Sequence, residues 1–310
     1  GDGVVDALRE MIEVARALQT PLEVSHLKAI GGRNARKAVP EMLSLIARAR
    51  EEGLDVMCDA YPYTAGSTQL IHVLPPEFQA GGTETLTKRL RDCAAREEMR
   101  ARMETGSDFE NITLLVGFEN VVAIGLRTDE YHRFEGKSIA EIALALGKDP
   151  YDALFDLLAA EKCEAGMIDY ISDEEDLKAI LRAPFSGVIS DATYPGAGQV
   201  HPRVYGAFAR LIETYVVREK VLTLEQAVHK VTLQAAERFS LAGKGKIEVG
   251  ADADLLLFAP EKIQERGTYL APRACALGFD EVFVLGERVI ENGVYRGGSS
   301  GEMLGLRMEY

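Results

Sequence analysis

An aspartate at the end of a short apolar run is the first group in this chain with a claim to chemistry. Val188-Ile189 reads as a buried strand that delivers Ser190-Asp191 into a glycine- and proline-rich loop, and His201 and Arg203 lie in that loop. A carboxylate carried to the carboxyl end of a strand is where α/β barrels place catalytic groups. The same residue would also suit a turn or a helix N-cap. His26 ends a second short strand, Leu22–Ser25, and Lys28 follows it. A neutral imidazole there can ligate a metal or serve as a structural hydrogen bonder. Lys28 alone would be a solvated charge. Tyr61, Tyr63, Thr64, Ser67 and Thr68 crowd hydroxyls beside a third strand end, which suits a polar substrate or a well-bonded turn. Arg203 offers a planar fork for a carboxylate, or else a surface ion pair. His72, His132 and His229 lack ligand-like spacing, and His132, in a loop after a strand, has the best claim of these. The chain contains no HxH, HExxH, GxSxG or P-loop pattern and no convincing dinucleotide fingerprint.

The elements that must position these groups follow from periodicity. Val5, Leu8, Ile12, Ala15 and Leu18 recur at helical spacing over residues 4–18, and Pro21 ends that helix. A second amphipathic helix over 38–51 is closed by Gly53, and Leu54–Cys58 reads as the strand that enters the hydroxyl-rich loop. Helix–strand alternation of this kind is the signature of parallel βα units. Residues 69–110 break the rhythm with Pro75-Pro76, Gly81-Gly82 and a charged helix over 83–104, which reads as an insertion. Asn120–Gly125 reads as a third barrel strand, followed by helices at 138–146, 150–161 and 173–181, the Val188-Ile189 strand and a helix over 222–239. Four strands are about half of what a closed eight-stranded barrel needs. From about residue 241 the texture turns to alternating apolar residues with the hairpin signals Leu285-Gly286-Glu287 and Glu291-Asn292-Gly293. The expected fold is therefore α/β, a half-barrel over 1–240 with a small β portion over 241–310.

Composition narrows the functional classes. The chain has 310 residues, 47% hydrophobic and 27% charged, enough for a full-sized core. A net charge of −14 argues against broad nucleic-acid or anionic-membrane binding. No uninterrupted apolar run reaches membrane-spanning length. Cys58, Cys93, Cys163 and Cys275 are widely scattered with no CxxC pair, which fits reduced thiols in the cytoplasm.

Taken together, these segments resemble the N-acyl-D-amino-acid deacylase (D-aminoacylase) family of the amidohydrolase superfamily. Ser25-His26-Leu27-Lys28 resembles that family's "SH-x-K" strand end, and Asp59–Thr68 matches its "DxYPYxAGST" loop almost letter for letter. Ser190-Asp191 followed by His201-Pro202-Arg203-Val204-Tyr205-Gly206 is similar to its "SDG…HPRxYG" segment. The helix over 222–232 and Gly245–Leu255 resemble its closing helix and "GxIxxGxxADL" signature. The resemblance runs through nearly the whole chain and implies the second half of a TIM-like (β/α)8 amidohydrolase barrel with part of a small C-terminal β-sandwich. It further implies hydrolysis of the amide of an N-acyl-D-amino acid with one or two zinc ions. His26 and Asp191 would be metal ligands, and Asp191 also the general base that passes a proton to the leaving amine. Arg203 would bind the substrate carboxylate, with Lys28, Tyr61 and Ser67 lining the substrate site. Ala192 stands where the family usually has glycine. The family's HxH pair, its ligand cysteine and a further histidine are expected upstream of the position of Gly1, and none of the four cysteines here falls in the ligand position. The resemblance thus covers a carboxyl-terminal part that begins just after the fourth barrel strand, and predicts an N-terminal half supplied as a separate or cleaved chain. A cyclic amidase of dihydroorotase type and a non-catalytic scaffold are the rival expectations.

Overall fold

The computed structural model describes residues 1–193 and 198–304. Tyr194–Ala197, in the glycine- and proline-rich loop after Asp191, and the last six residues lie outside the described residues. Helix α1 (Val4–Leu18) buries Leu8, Ile12 and Ala15 on one face, and Gln19 closes it in the left-handed region at φ 50°. Strand β1 (Leu22–Val24) follows, then α2 (Ala38–Glu51), whose Val39, Met42 and Ile46 are fully buried. Gly53 turns the chain at φ +90°, a conformation that a Cβ would strain. Strand β2 is Val56–Ala60 and β3 is Ala65–Gln69. Beyond these lie β4 (Val121–Ile124), β5 (Gly166–Tyr170) and β6 (Ser186–Val188).

β1, β2 and β6 form a parallel sheet in the order β1-β2-β6, with Asp59 opposite Gly187. Helices α1, α2, Glu174–Arg182 and Leu224–Val231 contribute to one core with it, in which Met42, Ile46, Val56, Cys58, Leu181 and Tyr215 are buried. The strand expected over Leu54–Cys58 is shifted two residues forward, because Cys58–Ala60 pair with Ser186–Val188. Asp59 therefore sits on a strand rather than in the loop. The strand expected to end at His26 ends at Val24, and Val188 closes the strand expected to run through Ile189.

The strand expected as a third barrel strand belongs elsewhere. β4 pairs antiparallel with β5, and β5 with β3, in a second sheet of order β3-β5-β4. An apolar run of four residues is compatible with either sheet, since periodicity does not name a strand's partner. This sheet shares a separate core with Leu70, Leu86, Met99, Ile139 and Phe155. The charged helix expected over 83–104 is two, Gly82–Arg89 and Cys93–Thr105, the latter capped by Asp92. Helix Ile139–Leu146 starts with a full capping box, Ser138 and Glu141 exchanging side-chain and backbone bonds. Ser138→Ala is expected to cost about 1 kcal/mol, read as a lower midpoint in urea unfolding with an unchanged slope.

The helix expected over 222–239 breaks at Thr232 into Leu224–Val231 and Leu233–Arg238. Strands β7 (Leu255–Phe258), β8 (Phe279–Val284), β9 (Glu287–Glu291) and β10 (Val294–Tyr295) make an antiparallel sheet in the order β10-β9-β8-β7. Its tight turns lie where the hairpin signals put them, with Leu285-Gly286 and Asn292-Gly293 all at positive φ. No helix among the described residues is long and apolar enough to cross a membrane. All four cysteines are free thiols.

Candidate functional site

The strand ends of the first sheet and the second sheet meet around one cavity of about 540 Å³. Its wall includes His26, Lys28, Tyr61, Ser67, Asp191 and Arg203, the six residues that the family resemblance implied for the site, whereas Tyr63, Thr64, His132 and His201 do not line it. His26 is presented by a turn in the left-handed region, φ 42°. Asp59 holds that turn twice: its Oδ1 accepts from the His26 amide at 2.6 Å and its carbonyl accepts from the Leu27 amide at 2.8 Å. Burial raises the Asp59 carboxyl, and the His26 amide bond pulls it back. Asp59 is thus a positioning residue that the sequence reading passed over, because the strand shift concealed it. Lys28 Nζ lies 3.2 Å from His26 Nδ1 and 5.3 Å from the centre of the Tyr61 ring. Burial lowers the Lys28 ammonium, opposed by the charge of Asp191.

Asp191 leaves β6 in the left-handed region at φ 48°. Its Oδ2 accepts from Arg203 Nη1 at 2.8 Å. Arg203 is 3% exposed, stacks 4.5 Å over the Tyr61 ring and donates from Nη2 to the Ser67 carbonyl at 3.2 Å. Its Nε is buried with no partner. Arg203 begins a helix, Arg203–Arg210, that the loop-like sequence concealed. Ser67 lines the cavity, but its hydroxyl donates to the Met167 carbonyl at 2.9 Å, so it meets a ligand only as an acceptor while that bond stands. His201 is committed to structure. Its Nδ1 accepts from the Arg203 amide and its Nε2 lies 3.0 Å from the Ala65 carbonyl, so the proton belongs on Nε2. Burial, together with the Arg203 charge, lowers it to about 3. The imidazole stays neutral at ordinary pH and packs edge-on against Tyr63 and Tyr269.

His132 is in a short helical turn, His132–Phe134, away from this wall, whereas His72 lines the cavity from the turn Leu70–Val73. The best claim among the three remaining histidines therefore passes from His132 to His72. Asp169, on β5, is the other residue not anticipated. It is 3% exposed and its carboxyl is raised to about 6 by burial, with Lys28 and Arg203 pulling it down. The folded protein binds this proton more tightly than the unfolded chain does, so the associated stability is full below about pH 4 and is lost as pH rises through 6. Moving a carboxyl from 3.8 to about 6 corresponds to about 3 kcal/mol. Asp169→Asn is expected to be more stable than the parent by up to that amount at pH 7.5 and no more stable at pH 4. Paired urea unfolding curves at the two pH values check this.

The Amidohydrolase family matches residues 36–273. The chain belongs to that family. This member of the amidohydrolase family carries Tyr61, Ser67, Asp191 and Arg203 inside the matched span, with His26 and Lys28 just before it. It is 29% identical over 307 residues to the D-aminoacylase of Alcaligenes xylosoxydans xylosoxydans, covering 98% of this chain and 52% of the relative. It is 30% identical to the N-acyl-D-glutamate deacylase of the same organism, covering 92% of this chain and 49% of the relative. The mixed α/β amidohydrolase fold matches a D-aminoacylase structure described for its binuclear metal centre, with a TM-score of 0.73 at 29% identity over 96% of this chain and 52% of that one. A structure of N-acyl-D-glutamate deacylase from Bordetella bronchiseptica, complexed with zinc and a phosphonate mimic of the tetrahedral intermediate, matches with a TM-score of 0.72 at 28% identity over 94% of this chain and 52% of that one. The chain spans about half the length of the relatives it matches.

His26 and Asp191 offer the nitrogen and oxygen donors that zinc accepts. Among the described residues no group of three or more His, Cys, Asp or Glu side chains could hold a metal ion. The donors present fit part of a zinc ligand set rather than a whole one.

Proposed function

We propose that this chain is the carboxyl-terminal part of a zinc-dependent enzyme that hydrolyses the amide of N-acyl-D-amino acids to a carboxylate and a free D-amino acid. The observation that carries this reading is the single cavity that gathers His26, Lys28, Tyr61, Asp191 and Arg203. His26 and Asp191 would hold one or two zinc ions together with ligands from outside this chain's described residues. Zinc, when bound, supplies a Lewis acid that polarises the scissile carbonyl and makes water nucleophilic near neutral pH. Asp191 takes a proton from the attacking water and delivers it to the leaving nitrogen as the C–N bond breaks. Lys28 and Arg203, both close to the Tyr61 ring, hold the substrate's α-carboxylate. Asp59 fixes the His26 turn.

Two open features support a larger whole. β1 and β6 are edge strands of a three-stranded parallel sheet, and parallel strands in barrels are paired on both sides. In the small β sheet Leu256 and Leu257 are more than half exposed, as are Ile247 and Val249 before it. Further strands would close the TIM-like barrel and complete the C-terminal sandwich. In the relatives the unmatched half belongs to the same chain, which gives no support to its arriving here as a separate one.

The test is release of free amine from N-acetyl-D-amino acids by the full-length zinc-loaded protein. N-acetyl-L-amino acids and simple amides without a carboxylate serve as controls. Release confined to the D-acids is expected. Release from the carboxylate-free amides at equal rate, or from none of the D-acids, would overturn the reading.

A further inference from the structure

Asp169 brings into the cavity a charge that the proposed reaction does not use. It stands opposite Gly66 in the β3–β5 pairing. A Cβ on Gly66 would come within 2.6 Å of Asp169 Oδ1, so only glycine leaves room for the carboxylate there. That Oδ1 is buried without a hydrogen-bond partner. The neighbouring cations are engaged elsewhere: Arg203 pairs with Asp191 at 2.8 Å, and Lys28 lies against His26 at 3.2 Å. Among the described residues no Lys or Arg forms an ion pair with Asp169. Glu110, whose Oε1 accepts from the Gly1 amino group, lines the same cavity. Asp169 Oδ1 is therefore left without a charged donor among the described residues.

We propose that Asp169 selects the substrate's side chain, and that the preferred substrates are N-acyl-D-amino acids with a cationic side chain, the D-arginine and D-lysine class. This rests on the deacylase reading above. Ser67 and the Arg203 guanidinium that bonds its carbonyl are next to Gly66, so a substrate carboxylate held there places its α-carbon beside Asp169. A side chain leaving that α-carbon can offer the carboxylate the charged donor it lacks, and charge-assisted bonds of this kind are short and strong. A carboxylate side chain would meet like charge, and an apolar one would leave Asp169 unpaired; both are rejected by the same group.

The probes are N-acetyl-D-arginine and N-acetyl-D-citrulline, which match in shape and differ in charge. Calorimetric binding and kcat/KM are measured on the full-length zinc-loaded protein and on its Asp169→Asn variant. The wild type is expected to prefer the arginine compound by about 10- to 100-fold in both readouts, and Asp169→Asn to bring that ratio close to one. Equal handling of the two compounds by the wild type, or an undiminished preference in the variant, would overturn the inference. Hydrolysis without preference sinks this inference alone. Preferential binding without hydrolysis supports the inference and sinks the deacylase reading. Neither binding nor hydrolysis sinks both.

Discussion

Asp191→Asn in the full-length protein is expected to lower kcat for N-acyl-D-amino-acid hydrolysis by about 10³- to 10⁴-fold while leaving KM within a few-fold. The asparagine keeps the shape of the side chain and can still accept from Arg203 Nη1, which Asp191 Oδ2 meets at 2.8 Å. It has no carboxylate with which to take a proton from water. The choice of Asn over Ala matters. Arg203 is almost wholly buried, and deleting its partner would leave an uncompensated charge that costs about 3–5 kcal/mol. A folded Asn variant separates loss of the base from loss of the fold. Full activity in that variant would remove Asp191 from the chemistry.

Arg203→Lys is expected to lower kcat/KM by about 10²-fold or more, with both parameters affected. The guanidinium reaches Asp191 and the Ser67 carbonyl at once while lying 4.5 Å over Tyr61. A lysine ammonium is a point charge and cannot span the three. KM should rise because the carboxylate clamp loses its fork, and kcat should fall because Asp191 loses the partner that orients it. That split distinguishes Arg203 from Asp191, whose replacement acts on kcat. A variant with raised KM and unchanged kcat would reduce Arg203 to binding alone, and an unchanged KM would remove it from the clamp.

The site was legible in the sequence where chemistry is written into consecutive residues. Ser25–Lys28, Asp59–Thr68 and the pair Asp191 and Arg203 each lie beside a strand end, and residues from all three line one cavity. Asp169 carried no such signature: it follows the short apolar run Met167-Ile168, and its place on the wall follows from antiparallel pairing with β3, ninety-seven to one hundred and five residues earlier in the chain. β4 was mistaken for a barrel strand for the same reason, since its partner β5 lies on the far side of two helices. Asp59 was legible as a loop residue only until the register with β6 placed it on β2. Local patterns, by contrast, carried α1, α2 and the two C-terminal hairpin turns, whose determinants are side-chain periodicity and positive-φ residues.

The central claim, metal-dependent hydrolysis at the Asp191 cavity, is tested most directly by one titration. The full-length protein is stripped with a chelator and zinc is added back in steps, while bound metal and release of free D-amino acid are measured on the same samples. Release that is absent from the stripped protein and rises as zinc binds is the predicted result. Undiminished release from the metal-free protein, or full zinc loading without release, would contradict the account.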